Sequence, residues 1–485
     1  MKNFGAAGNG KKDDTKAIQS AINFAASKQN KSTVYFPAGI YLVRDITTSS
    51  TYLENYFLLL KSHIKIEGDG KKTSIKIADN LFNRPEKNAN AHLFKGQNIV
   101  DLVVQNICID LNGKNNLVPE GSNKNAMAFL VFQGSDIRMD HVSIINCAGQ
   151  NMISMRAPGS KLSVEDCEFR NGGHYVGSKI ENKYQADFSF LYSEWSETKI
   201  QDNIFVQEDV NMALKGFTGG VEIHASDSEI KKNRFTGCFP AVYLASTNGI
   251  LKNIHVDSNT MSKCVKGISF WCVDSIKNIT ISYNDITLTN AGNSAVISVG
   301  IEVPNGNTTI VSKENANNAP IINLLIKSNN ISSLLPSATT YRSIGMHLHS
   351  LHNSLVEDNI ISNFNLASIS VSGSKWGMNN SLFLKNILRN NQPNTDEKAV
   401  AAHITVTDTY SSDIRDAPGF TNLQFEQNQI TGTENFRAAP GNARNFLGVF
   451  VAVPEKVLKG VTLRENELKG SLKEKQLTIK TPLNY

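Results

Sequence analysis

Short runs of alternating apolar and polar residues dominate this chain, and nine of them close on an asparagine two positions before an apolar residue. In order these are Asn203-Ile-Phe205, Asn233-Arg-Phe235, Asn259-Thr-Met261, Asn284-Asp-Ile286, Asn329-Asn-Ile331, Asn359-Ile-Ile361, Asn386-Ile-Leu388, Asn428-Gln-Ile430 and Asn466-Glu-Leu468. By subtraction, successive asparagines lie 30, 26, 25, 45, 30, 27, 42 and 38 residues apart. Period-two alternation marks half-buried strands. Recurrence every few tens of residues marks stacked units that each bury their apolar face on the next. The pattern predicts an all-β solenoid. As a ladder at the turns, the asparagines are expected to bond to backbone and to one another and to do no chemistry.

A second element, a small residue followed by apolar-x-apolar, precedes most of these asparagines. Its copies are Asn151-Met-Ile-Ser-Met-Arg156, Asp187-Phe-Ser-Phe-Leu191, Gly220-Val-Glu-Ile-His224, Ala241-Val-Tyr-Leu-Ala245, Gly267-Ile-Ser-Phe-Trp271, Gly300-Ile-Glu-Val-Pro304, Gly345-Met-His-Leu-His349, Ala367-Ser-Ile-Ser-Val371 and Ala402-His-Ile-Thr-Val406. Strand side chains alternate between faces. Val221 with Ile223, Val242 with Leu244, and Ile268 with Phe270 are therefore expected to point inward. Their neighbours then form two outward ladders. One runs Glu222, Tyr243, Ser269, Glu302, His347, and the other His224, Ala245, Trp271, Pro304, His349. In this register Arg156 lies two coils below His224, and Asp187 one coil below Glu222.

The first 45 residues read differently. Asn3 to Thr15 is a Gly-rich turn leading into a helix that Asp13, Asp14 or Thr15 can cap. Ile18, Ala21, Ile22 and Ala25 follow at helical spacing, and Thr33 to Val43 reads as strand, Pro-Ala-Gly turn, strand. Gly5-x-x-x-x-Gly10-Lys11 imitates a P-loop, but Lys12 stands where Ser or Thr must hold magnesium, so a nucleotide site is excluded. Phe4-Gly-Ala-x-Gly-x-Gly, Asp13-Asp-Thr, Ala17-Ile-Gln-x-Ala-Ile22 and Val34-Tyr-Phe-Pro-x-Gly-x-Tyr41 together resemble the N-terminal cap of the pectate-lyase-like superfamily. The resemblance covers about a tenth of the chain and implies a right-handed, single-stranded parallel β-helix with an N-terminal capping α-helix. The expected organisation is a cap over residues 1–45 and a parallel β-helix with loop excursions over 46–485. The resemblance also implies polysaccharide lyases, glycoside hydrolases, epimerases or phage tailspikes as the functional range.

Composition narrows this little. A net charge of +5 over 485 residues is small. It gives no electrostatic footprint for nucleic acid and leaves a polysaccharide, in particular an acidic one, as the expected partner. No apolar stretch approaches the ~20 residues of a membrane helix, so no membrane insertion is expected. No leader is visible ahead of the cap motif. The six cysteines, Cys108, Cys147, Cys167, Cys238, Cys264 and Cys272, contain no CxxC pair and read as reduced core residues.

The outward ladders carry the candidate chemistry. A face meant only for solubility would show Lys, Asp, Thr and Asn. This one shows carboxylates, imidazoles, a Tyr, a Trp and an Arg, which suits packing on a pyranose face and hydrogen bonding to its hydroxyls or carboxylate. Glu222, Asp187, His224 and Tyr243 are the candidate catalytic residues. Arg156, Trp271, Glu302, His347, Trp195 and Tyr192 are the candidate substrate contacts. His347 and His349 are two imidazoles without a third ligand, so no metal or other cofactor is expected. Loops expected near residues 111–127, 171–186, 206–219, 305–320 and 332–343 would build a cleft, with His174, Tyr175, Tyr184, Glu194, Glu208 and Asp209 around the same coils.

Two mechanisms remain open on this face, with glycoside hydrolysis the slightly favoured expectation and a uronate-directed lyase or C5-epimerase the alternative. Hydrolysis needs two carboxyls at a defined separation, for which Asp187 and Glu222 on adjacent coils are the favoured pair. β-Elimination or C5 epimerisation needs a carboxylate neutraliser, a base and an acid, roles open to Arg156, His224 and Tyr243. Gly220-Val-Glu-Ile-His224 is similar in position and spacing to the Asp-Pro-His strand of mannuronan epimerases, with Glu for Asp and Ile for Pro. The β-helix without a leader resembles a phage tailspike depolymerase, which implies an extracellular or virion-associated setting and a homotrimer. A glycan-binding adhesin that cuts nothing is the competing class.

Overall fold

The computed structural model describes residues 1–48, 55–81, 91–116, 126–147, 151–172, 188–208, 218–247, 249–290, 292, 296–303, 319–335, 341–373, 377–391, 402–408, 419–432, 447–452, 460–469 and 477–479. Asp187, His174, Tyr175, Tyr184, Asp209 and Pro304, and most of the expected excursions, lie outside these residues. The protein is an all-β, right-handed parallel β-helix with one α-helix at its N-terminus. Its contacts divide it into two compact units, Met1–Phe239 and Pro240–Tyr485.

The first unit opens on the cap. Helix Thr15–Ala26 buries Ile18, Ala21, Ile22 and Ala25 against the first coils. Its Gln19 also satisfies an otherwise unpaired strand edge: Leu59 N–H donates to Gln19 Oε1 at 2.7 Å, and Gln19 Nε2 donates to the Leu59 carbonyl at 3.1 Å. Asp14 occupies the N-cap position but makes no side-chain cap bond. Its carboxylate instead accepts the Ala7 and Gly8 N–H groups at 2.7 and 2.9 Å, so the Gly-rich turn is folded around an aspartate rather than a phosphate.

Parallel strands then stack in register. Asn55–Leu59 pairs with Ala91–Asp110, which pairs with Phe129–Ile145, and that with Asn151–Glu165. Asn151–Glu165 pairs with Phe188–Ser193, which pairs with Thr218–Ile223. Phe169, Phe205 and Phe235 stack through the interior at centroid spacings of 4.7 and 4.8 Å, which is the inter-strand repeat read out by aromatic rings.

The second unit repeats a three-strand coil. One column of strands is Val242–Ala245, Lys266–Trp271, Ile297–Glu302, Arg342–His349, Ala367–Gly373, Ala402–Asp408 and Leu447–Ala452. A second contains Leu251–Asp257, Ile276–Ser282 and Ile321–Lys327, and a third Thr260–Cys264, Asp285–Leu288, Asn330–Ser333 and Ile360–Ser362.

Asparagines mark the corner before the third column. Asn259, Asn284, Asn329, Asn359, Asn386, Asn428 and Asn466 form a chain in which each Nδ2 donates to the next Oδ1 at 2.8–2.9 Å. The backbone N–H of each also donates to that same oxygen. The residue before each asparagine is left-handed, with φ between 52° and 55° for Ser258, Tyr283, Ser328, Asp358, Lys385, Gln427 and Glu465. That conformation is unfavourable without a glycine, and the buried amide bonds of the ladder offset its cost. Asn203 and Asn233 form the same rung in the first unit.

The small residue that opens the second sequence element also has a physical reason. A Cβ on Gly267 would lie 2.4 Å from the Gly300 carbonyl oxygen, one on Gly300 2.5 Å from that of Gly345, and one on Gly345 2.4 Å from that of Ser368. Neighbouring coils approach too closely there for any side chain.

The six cysteines are free thiols, five of them buried. Burial pushes the Cys167 and Cys272 thiols up to about 12, which makes them inert.

Candidate functional site

The site in the first unit is built on two rungs. Register places Ser154, Tyr192 and Glu222 one above another, with Met155, Ser193 and Ile223 as the next column. One position further, Arg156, Glu194 and His224 continue the outward parity, tied by Glu194 N–H to the Met155 carbonyl and His224 N–H to the Ser193 carbonyl.

The side chains form one connected group. Glu222 Oε1 lies 2.8 Å from His224 Nε2, and the two side chains are only 5% and 6% exposed. Ser189 Oγ donates to Glu222 Oε2 at 3.3 Å, and Asn151 Nδ2 donates to Ser189 Oγ at 2.8 Å. The Tyr192 ring packs on His224, centroids 4.6 Å apart, and the Arg156 guanidinium lies 4.0 Å over the Tyr192 centroid. Tyr192 Oη donates to Glu194 Oε1 at 2.7 Å. Glu194 Oε2 accepts the Ala157 N–H at 2.8 Å, and Arg156 Nη1 lies 3.5 Å from Glu194 Oε1.

Charge states follow. Burial raises the Tyr192 hydroxyl pKa, and its bond to Glu194 raises it further, so Tyr192 stays protonated. Burial alone would raise Glu194, but the Ala157 N–H, the Tyr192 hydroxyl and the Arg156 charge outweigh it and hold the carboxyl below its usual range.

Four expectations change. Trp195 is not a sugar platform: it is fully buried, its indole N–H donates to the Arg156 carbonyl at 2.9 Å, and its ring fills the space over Gly134 and Gly159. It continues the inward parity of Leu191 and Ser193 past the strand end. Asp187 is not the residue across from Glu222: that position belongs to Tyr192, five residues further along the chain, and Asp187 itself lies outside the described residues. Glu222 lies on the outward parity yet is buried, with His224 and Ser189 bonded to its two oxygens. Glu208 joins Arg170, at 3.0 Å, and not this group.

The remaining candidates belong to the second unit. Tyr243, Ser269, Glu302 and His347 are consecutive in one register column, and Trp271 stands beside Ala245 in the next. Glu302 Oε2 bonds Lys266 Nζ and accepts Ser269 Oγ at 3.2 Å, and His347 Nε2 lies 2.9 Å from His349 Nε2. Burial would raise Glu302, but the Lys266 charge and bond prevail and lower it. Burial lowers both imidazoles, His349 well below the ordinary 6.5. His349, on the second outward ladder, joins His347 here, while Lys266 was missed as a site member, and so was Ser189, which carries no sequence signal because serine is ordinary at strand starts. Among the described residues, a cluster of three metal-competent side chains occurs only at Asp140, His141 and Asp166. None of the described helices is long and apolar enough to cross a membrane.

Comparison with known proteins agrees with the fold. Residues 1–269 match the model of the family described as rhamnogalacturonase A/epimerase, pectate lyase-like. Alginate lyase 7 of Azotobacter vinelandii is 45% identical over 80 residues, which is 16% of this chain and 9% of that protein. The matched segment is thus a small part of the relative's length. A mutant tailspike protein of E. coli bacteriophage HK620, solved with a pentasaccharide, superposes with a TM-score of 0.64 at 12% identity, covering 94% of this chain and 75% of that one. The Streptococcus pneumoniae surface protein and adhesin PfbA superposes with a TM-score of 0.55 at 16% identity, covering 84% of this chain and 99% of that one. At these identities the two structures show a shared fold.

Proposed function

This chain belongs to the rhamnogalacturonase A/epimerase, pectate lyase-like family, and from that premise we propose that it abstracts the C5 proton of a uronate residue in an acidic polysaccharide. Elimination and epimerisation share this step. The observation that carries the reading is the buried Glu222–His224 pair at 2.8 Å with Arg156 and Tyr192 packed beside it.

The roles follow from hydrogen-bonding chemistry. The Glu222 carboxylate accepts the Nε2–H of His224, which assigns the basic lone pair to Nδ1 and stabilises the imidazolium that forms. Arg156 pairs with the substrate carboxylate and holds the uronate against His224 in the ground state and the transition state alike. Tyr192, protonated, is the acid. In elimination, the C5 proton passes to His224, the electron pair forms the C4–C5 double bond, the C4–O4 bond breaks, and Tyr192 supplies the proton to the leaving oxygen. In epimerisation, the carbanion is reprotonated at C5 from the opposite face. The role expected of Tyr243 passes to Tyr192 in this reading, because Tyr192 packs on His224.

The hydrolytic reading has less support. Opposite Glu222 stands a phenol, and the carboxylate of Glu194 in the same group is already held by the Ala157 N–H and Tyr192. A polymer of this kind is met outside the cell, so an extracellular or virion-associated setting accompanies the proposal, and a homotrimer remains part of it. Incubation with alginate and polygalacturonate in D2O tests it. An ultraviolet-absorbing unsaturated uronate indicates elimination, and deuterium at C5 without cleavage indicates epimerisation. New reducing ends lacking both signals would replace the proposal with hydrolysis. Binding without any product would replace it with an adhesin.

A further inference from the structure

We infer that Trp195 and Glu194 act as a clamp on residues 156–159 and that this clamp, rather than the Arg156 side chain's own packing, determines how tightly a uronate carboxylate is held. The inference rests on the proposed role of Arg156 and deepens it: Trp195 is a positioning residue.

The geometry is specific. The segment after Arg156 leaves the ladder between Phe132 and Gly134, where the register with the coil below shifts. A shifted stretch lacks the regular backbone bonds that would fix it, so its position has to come from elsewhere. Four bonds from one short stretch supply it. Trp195 Nε1–H donates to the Arg156 carbonyl at 2.9 Å, and Glu194 Oε2 accepts the Ala157 N–H at 2.8 Å. Ser196 N–H donates to the Gly159 carbonyl at 3.1 Å, and Lys161 N–H returns to the Ser196 carbonyl at 2.9 Å. The indole is itself fully buried. It occupies a slot made by two glycines paired across adjacent coils, where a Cβ on Gly159 would lie 2.3 Å from the ring and one on Gly134 2.8 Å. Below it, the Trp195 carbonyl accepts Thr198 Oγ1 at 2.7 Å, and Thr198 Oγ1 meets Ser193 Oγ at 2.9 Å. The core thus reaches through Trp195 to the backbone of the one arginine in the group. Glu194 reaches the same arginine from its side chain and the same backbone from Ala157.

Such a clamp fixes the origin of the guanidinium before substrate arrives, and preorganisation of this kind appears as binding of the charged group. Trp195→Phe keeps most of the ring in its slot and removes the N–H donor. Gly159→Ala attacks from the other side, displacing the ring. Each is expected to raise KM for the acidic polymer ~10-fold with kcat changed far less. In an Arg156→Gln background, either change is expected to add nothing, because the group being positioned is gone. Hydrogen exchange of the Ala157 amide, faster in both variants, reports the loosened segment directly. Should Trp195→Phe melt below the assay temperature, Glu194→Gln, which weakens the Arg156 side of the clamp and leaves the indole seated, is measured in the same cycle. Effects additive with Arg156→Gln, or an unchanged KM in a folded variant, overturn the clamp. If Arg156→Gln alone leaves KM for the acidic polymer unchanged, the role of Arg156 fails instead, and the two failures are distinct.

Discussion

Replacing Asn203 with alanine tests whether the asparagine ladder stabilises the coils that carry the site. Asn203 is buried; its Nδ2 donates to the Val164 carbonyl at 2.8 Å and to Asn233 Oδ1 at 2.9 Å, and its Oδ1 accepts the Cys167 N–H at 2.8 Å. Alanine leaves Asn233 Oδ1 with the Asn203 backbone N–H, at 3.0 Å, but strips the Cys167 N–H and the Val164 carbonyl of these partners. Each buried polar group left so costs ~1–3 kcal/mol, so the pair costs ~4 kcal/mol. Since about 1.4 kcal/mol is tenfold, local opening at the Cys167 amide should become ~1,000-fold more frequent. Native-state hydrogen exchange reads that amide, and urea unfolding reads the global cost. Asn466→Ala is the control. It breaks bonds of the same kind, to Phe425 and Asn428, at a half-buried position where water can replace them, and should cost under ~1 kcal/mol. Equal losses at the two positions would refute the claim that buried amide satisfaction is what the ladder contributes.

Glu222→Gln should lower turnover ~100- to 10,000-fold while polymer binding persists, since it removes the carboxylate behind the base; retained turnover would remove Glu222 and His224 from the mechanism. Glu194, held below its ordinary value near 4.5, contributes stability present above that value and lost as pH falls through its lower folded value. Melting temperature against pH should therefore drop on that acid limb in the wild type and flatten in Glu194→Gln. His349 is pushed well below 6.5, so the unfolded chain takes up a proton near that pH that the folded chain refuses. Stability should fall as pH drops below ~6.5, less steeply in His349→Gln, and the His349 imidazole should remain neutral by NMR through that range. Gly300→Ala places a Cβ 2.4 Å from Ile331 and 2.5 Å from the Gly345 carbonyl oxygen, and should cost ~3 kcal/mol or prevent folding, as measured by thermal unfolding.

The sequence carried the coil and its register because both rest on local chemistry. Alternation decides which side chains enter the core, and Val221, Ile223, Val242, Leu244, Ile268 and Phe270 are all buried as their parity requires. The rung of Tyr243, Ser269, Glu302 and His347 was legible for the same reason. The inward turn of Trp195 was legible in principle, since parity runs unbroken from Leu191 through Trp195, but its aromatic ring among loop-flanked polar residues reads as a substrate contact. Asp187 failed as the partner of Glu222 because strand starts differ between copies, so aligning first residues misplaces the rung by several positions. Burial of Glu222 was not legible at all. An outward position is covered by side chains such as His224 on its own coil and Ser189 on the adjacent one, and those distances are not written in periodicity.

One property of the ladder reaches beyond stability. Between Asn259 and Asn284 the chain takes 25 residues, and between Asn284 and Asn329 it takes 45, yet both amide contacts are 2.9 Å. Coil length is thus decoupled from coil spacing. A segment can be lengthened, shortened or exchanged between two asparagines without disturbing the strands on either side, and the scaffold behaves as a rack of interchangeable cassettes on a fixed pitch. Transplanting the excursion of one relative into the interval of another, asparagine to asparagine, is a direct route to new polymer specificities on an unchanged frame.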